Sequence, residues 1–166
     1  MDFKEYLIKR KKGAKEIVFT VLLYLAALVI AFVFLAIIPP IGGLNLLVIV
    51  GGFYGAHKLS AKFNREYEYV VTKDNVDIDV IFNKTSRKRV VSFSVRDVEY
   101  ISTAESITKA DIKRYNKVIN ASSNKKDAEV YVACLEKNGG TLIMFEPTYA
   151  MLEILRKYEP RKVTVK

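Results

Sequence analysis

The chain has 166 residues, 51% hydrophobic and 27% charged, with a formal net charge of +9 at pH 7 and a single cysteine. That length admits one medium domain, or a membrane segment plus one small domain. One cysteine excludes an internal disulfide, and with one histidine it leaves no Cys/His set for a metal.

The apolar and charged residues are segregated. Residues 17–56 contain no Lys, Arg, Asp or Glu, while the roughly 107 residues beyond Leu59 have the mixed composition of a domain with its own core.

Residues 1–16 are short and polar, with six basic and three acidic residues and the run Lys9-Arg10-Lys11-Lys12. Phe3, Tyr6 and Leu7 fall at helical spacing, which fits an interfacial amphipathic turn. The plainer reading is an orientation signal, because Lys and Arg stay on the cytoplasmic side of a membrane. A cleavable leader fits less well: 22 uncharged residues follow, longer than an apolar leader region, and no small-residue cleavage site precedes Pro39-Pro40.

Residues 17–38 reach about 33 Å as a helix, against a hydrocarbon core of roughly 30 Å. Pro39, Pro40, Gly42 and Gly43 then predict a tight turn. Residues 41–59 return, with Gly51, Gly52 and Gly55 small enough to allow close packing on the first helix. The uncharged part is short for a span, so full crossing relies on snorkelling by His57 and Lys58; a re-entrant hairpin is the alternative. Basic residues flank both outer ends of the pair. They predict a multi-pass cell-membrane protein with both termini cytoplasmic.

Beyond Asn64 the period changes to two. Tyr67, Tyr69 and Val71 alternate with Glu66 and Glu68; Val76, Ile78, Val80 and Phe82 with Asp77 and Asp79; Val91, Phe93 and Val95 with Ser92 and Ser94. Alternation predicts half-buried strands, joined by turns at residues 73–75 and 83–86. Arg96-Asp97 makes a corner before a strand over residues 98–103. Residues 104–127 are the least patterned, with a helical turn over 107–114 and a strand over 116–122 as readings. Residues 129–136 and 141–145 predict a hairpin about Asn138-Gly139. Pro147 opens a helix to about Tyr158, with an apolar stripe of Tyr149, Leu152, Leu155 and Tyr158 (or Glu159). Pro160 stops it, leaving a short basic tail. The predicted class is α+β: an N-terminal transmembrane hairpin (17–59) after a basic cytoplasmic segment (1–16), then an antiparallel sheet or partial barrel (60–166) capped by a C-terminal helix.

Three strands carry a resemblance: Glu68-Tyr69-Val70-Val71-Thr72, Val76-Asp77-Ile78-Asp79 and Arg89-Val90-Val91-Ser92-Phe93. With the corner and the final helix they resemble the bacterial pleckstrin-homology-like fold. Phe145-Glu146-Pro147 into Met151-Leu152, ending at Tyr158-Glu159-Pro160-Arg161-Lys162-Val163, is similar to a family of small bacterial two-helix membrane proteins of unknown function. The resemblance implies a fold, and no activity.

The sharpest candidate for chemistry is the basic stretch Lys84, Arg87, Lys88 and Arg89. Cations on one hairpin hold phosphates, and the resemblance invites this, since eukaryotic pleckstrin-homology domains bind inositol phosphates with a basic early hairpin. Here the hairpin lies one connection later. Selective lipid binding, general contact with anionic headgroups and a plain solvated turn all stay open. With Lys9, Arg10, Lys11, Lys12 and Lys58 these residues form the predicted membrane-surface set.

Asp77, Asp79, Glu66 and Glu68 read as the solvated side of strands rather than an acid–base pair. Cys134 reads as a packing residue in an apolar strand, and His57 as interfacial. Gly51-Gly52 and Gly139-Gly140 lack the Lys and Ser/Thr of a phosphate loop. Residues 116–126 are basic but lack an aromatic sheet face for RNA. The expectation is a membrane-anchored binding or scaffolding module without catalytic activity or cofactor. It would take an unidentified protein partner, or alternatively sense anionic lipid, and would not bind nucleic acid.

Overall fold

The computed structural model describes residues 2–37, 44–112, 114–135 and 140–165. They form two units, Met1–Lys11 with Arg65–Lys166, and Lys12–Asn64. The expected turn at Pro39-Pro40 and most of the expected turn at Asn138-Gly139 lie outside the described residues.

The second unit is a pair of helices, α1 (Ala14–Ile37) and α2 (Leu44–Ala61). Glu16 starts α1: its Oε2 accepts from Gly13 N at 2.9 Å, satisfying a donor that no turn precedes. α1 is long and apolar enough to cross a membrane, with a mean hydropathy of 2.9 over its best window. The helices are clasped by Tyr24 OH and His57 Nδ1 at 3.3 Å and by an edge-on Phe19–Phe63 pair. Among the described residues of this unit the buried side chains are small: Ala27, Ala31, Ala56, Ser60 and Ala61. The expected role of Gly51, Gly52 and Gly55 is not seen: a Cβ at any of them would meet nothing within 4 Å.

The first unit holds two four-stranded sheets. Sheet one is antiparallel in the order β1 (Phe3–Lys9), β2 (Arg65–Thr72), β3 (Asn75–Phe82), β4 (Ser86–Ser94). This corrects the reading of the N-terminal segment as a polar tail or helical turn. Phe3 to Lys9 pair residue by residue with Thr72 to Glu66, so the sheet unit starts near the N-terminus rather than at residue 60. The helices are an insertion between two neighbouring strands.

A 3-10 turn at Val95–Asp97 makes the expected corner, with Ser94 Oγ accepting from Arg96 N. Sheet two follows in the order β5 (Val98–Thr103), β7 (Tyr131–Leu135), β8 (Thr141–Phe145), β6 (Lys117–Asn120). It is mixed rather than wholly antiparallel, because β6 runs parallel to β8. A short helix α3 (Lys109–Ile112) lies between β5 and β6.

The C-terminal helix α4 (Tyr149–Tyr158) begins two residues after Pro147, capped by Thr148 Oγ1 accepting from Met151 N at 3.4 Å. Its buried face is Met151, Leu152, Ile154 and Leu155, while Tyr149, expected in the stripe, is 61% exposed. The tail is tied down as well. Val163 is buried and bridges to Ile101 on β5, where Ile101 N donates to Lys162 O and Thr164 N donates to Ile101 O.

The core lies between the sheets and α4, around Tyr69, Val71, Ile78, Phe93, Val95, Ile101, Phe145 and Leu155. Each such side chain contributes about 1.5–3 kcal/mol by leaving water. Tyr69 also carries a polar tie. Its hydroxyl donates to Ala121 O at 2.7 Å and accepts from Glu146 N at 3.3 Å, joining sheet one to two connections of sheet two.

Candidate functional site

The basic stretch after β3 is not one loop. Only Lys84 stands in the turn, a three-residue connection of Asn83, Lys84 and Thr85 in which Asn83 and Lys84 both take positive φ (48° and 60°). Arg87, Lys88 and Arg89 belong to β4.

A bulge sets the direction of the two arginines. Ile78 pairs with Val91, but Asp79 pairs with Arg89, so Val90 is an extra residue on β4. Without it every β4 side chain beyond would change face, and Arg87 and Arg89 would point into the core. With it they share the outer face of the sheet with Glu68, Asp77 and Asp79. Arg87 Nη2 lies 2.6 Å from Glu68 Oε2 and donates to Oε1 at 2.7 Å. Arg89 Nη1 reaches Asp77 Oδ1 at 2.7 Å, and its Nε donates to Asp79 Oδ1.

For two of the four carboxylates expected to be solvated this is a correction, while Asp77 and Glu66 stay partly exposed. Glu68 is 3% exposed and Asp79 5%. Burial pushes the Glu68 carboxyl above its usual range, helped by the hydrogen bond its protonated form donates to Glu5 and opposed by Arg87. The hydrogen bond to Asp79 holds Arg89 still more firmly in its charged form. Charges on β2, β3 and β4 thus lock sheet one across its strands, and both guanidinium groups are taken up in doing so.

The N-terminal cations divide. Lys12 and Lys58 belong to the helical unit. Lys9 ends β1, opposite Glu66. Arg10 is held in place: Nη1 donates to Tyr67 OH at 2.8 Å and the guanidinium lies 6.0 Å from the centre of that ring. In the orientation that satisfies its amide, Asn124 Oδ1 accepts from Arg10 Nε and Nη2. Lys11 N donates to Ser123 O at 2.7 Å. Ser123 N in turn donates to Glu146 Oε1 at 2.6 Å. The loop after β6 is therefore fastened to the end of β1, which brings exposed Lys125 and Lys126 beside the N-terminal basic run. Spacing gave no sign of this, since the partners stand more than 100 residues apart.

Cys134 is buried, as expected, on the face of sheet two that carries Val132 and Leu142. Tyr100 and Tyr115 lie against it, and burial raises the pKa of both hydroxyls, with hydrogen bonding to the thiol adding to the effect. Among the described residues, no group of three or more His, Cys, Asp or Glu is placed to hold a metal ion.

A search of the curated proteins finds no match to the chain. A family model does match. It covers residues 2–165, so it runs from β1 through the inserted helices to the tied-down C-terminus. With two packed sheets, a corner after the fourth strand and a closing helix, the chain belongs to the family described as Bacterial PH-like domain (DUF6106).

Proposed function

We propose that this chain is a membrane-anchored PH-like module that acts by binding a protein partner at the cytoplasmic face of the cell membrane, without catalysis. The observation that carries the reading is the apolar helical unit inserted between β1 and β2. In α1, Leu25, Leu28, Ile30, Phe32 and Ile37 are all more than half exposed. A helix that is apolar all round needs a protein core or a bilayer to cover it.

Strand pairing bears on the number of crossings. β1 and β2 are hydrogen-bonded neighbours, so the residues before α1 and after α2 lie on one side of any membrane. The helices then cross an even number of times. If α1 spans, α2 must return, although at about 27 Å it is short of the roughly 30 Å hydrocarbon core. His57 and Lys58, near its C-terminal end, reach the headgroup level by snorkelling. Lys and Arg at both outer ends favour the cytoplasm for that side.

For the partner, β1 is the support. It is an outer strand with a free edge, and it exposes Phe3, Tyr6 and Leu7. Such an edge can take an added strand from another protein.

The reading is tested by alkaline extraction and by reporters. The chain stays in the pellet, and reporters at both termini behave as cytoplasmic while one at Gly42 does not. A chain released by alkali, or termini on opposite sides, contradicts it.

A further inference from the structure

The register of sheet one gathers, at a single end, cations that are far apart in the chain. Lys9 lies opposite Glu66, Arg65 opposite Phe82, and Phe82 opposite Ser86. The end of β1, the start of β2 and the β3–β4 turn therefore share one end of the sheet. Lys11 follows β1, Lys84 is in the turn and Lys88 is near the start of β4. Lys125 and Lys126 join them through the Lys11–Ser123 bond. At about 4.8 Å per strand, β1 to β4 spans roughly 14 Å.

These five lysines are exposed, and none has a side-chain hydrogen bond or ion pair among the described residues. The neighbouring arginines are different. Arg10 is held on Tyr67, Arg65 lies over Phe82, and Arg87 and Arg89 are ion-paired. At the opposite end of the sheet Asp2 is paired to Lys157 and Asp74 to Arg96, with Lys4 and Lys73 exposed beside them.

We propose that Lys11, Lys84, Lys88, Lys125 and Lys126 form a contact face for the anionic headgroups of the bilayer. This rests on the anchored reading above. Two arguments favour headgroups as the occupant. The cations are flexible ammonium groups spread along a rim, with no buried donor converging on one point. They suit a planar sheet of charge rather than a single phosphate. Chain length supplies the second argument. Four residues join β1 to α1 and three join α2 to β2. Both of these short connections leave from this end of the sheet rather than from the other. The electrostatic attraction is about fivefold per lysine in the ratio of docked to undocked face.

The test uses the full chain in lipid nanodiscs. A fluorophore on Thr85→Cys reports the rim, and one on Asn75→Cys reports the opposite end; buried Cys134 stays unlabelled. Headgroup-attached nitroxide quenches the Thr85 probe more in discs containing phosphatidylglycerol than in phosphatidylcholine alone. The difference disappears in high salt, and in the variant with all five lysines changed to Gln. The Asn75 probe is unquenched in both. Equal quenching of the Thr85 probe in the two lipids, an unaltered difference in the five-lysine variant, or quenching of the Asn75 probe instead overturns the proposal. A chain that does not co-purify with the discs defeats the anchored reading itself, so the two failures are distinguishable.

Discussion

Ile8 is the residue through which the N-terminal strand enters the core, and its truncation isolates what that strand contributes. Ile8 is 6% exposed, in a cluster with Tyr67 and Val80, whereas its neighbour Leu7 is 48% exposed on the outer face. Ile8→Ala removes three carbon atoms from that cluster. At about 0.8 kcal/mol per buried methylene the transfer loss is about 2.4 kcal/mol, and a residual cavity raises it to about 3 kcal/mol. An edge strand relaxes more easily than a central one, so about 2–3 kcal/mol is expected. For a unit of this size that is a fall of about 10 °C in Tm. Leu7→Ala loses half-exposed surface and should shift stability by less than about 0.5 kcal/mol. Thermal unfolding of the full chain in detergent, followed by the circular dichroism of the strands, reads both variants. If Ile8→Ala melts with the wild type, or Leu7→Ala falls as far, residues 3–9 are a tail and β1 does not belong to the core.

Tyr69→Phe removes a fully buried hydroxyl and leaves the Ala121 carbonyl and the Glu146 N–H without a partner. A loss of about 1–3 kcal/mol is expected by chemical denaturation, and a loss below about 0.5 kcal/mol would mean that water replaces the bond freely. Glu68 carries a pH signature. Its folded-state pKa lies above the ordinary 4.5, so between the two values the folded chain holds more protons than the unfolded one. Stability from this group therefore rises as pH falls through the folded pKa toward 4.5. Wild type should gain on Glu68→Gln as pH is lowered across that window. A flat difference, or one of opposite slope, refutes the assignment.

Much of sheet one was legible because its strands alternate cleanly. Tyr67, Tyr69 and Val71, then Val76, Ile78 and Val80, point inward as the period requires. β1 was not legible for a physical reason. As an edge strand it buries only Ile8, and its partner lies some 60 residues away beyond the helices, so no local pattern marks it. The alternation also placed Glu68 and Asp79 on the correct face, yet it could not reveal their burial. That depends on Arg87 and Arg89, which one extra residue in β4 turns toward them. In α4 the period and the face were legible through Leu152, Leu155 and Tyr158, but Tyr149 at the first turn is exposed, and Met151 and Ile154 widen the buried stripe away from it. The candidate site was half legible. The basic residues were visible, but their division into ion-paired arginines and unpaired lysines depends on pairing across strands.

Strand pairing across the inserted helices is the feature from which the same-side argument and the basic rim both follow. A disulfide trap measures it directly. Lys9 and Glu66 are directly opposite on neighbouring antiparallel strands, where Cβ atoms lie about 4.5–5.5 Å apart. In isolated membranes, Lys9→Cys with Glu66→Cys should cross-link on mild oxidation. After cleavage at a protease site inserted at Gly42, the two fragments should then stay together until reduced. Lys9→Cys with Val70→Cys, four residues out of register and about 13 Å away, should not cross-link. Fragments of the Lys9/Glu66 variant that separate without reductant would contradict the account.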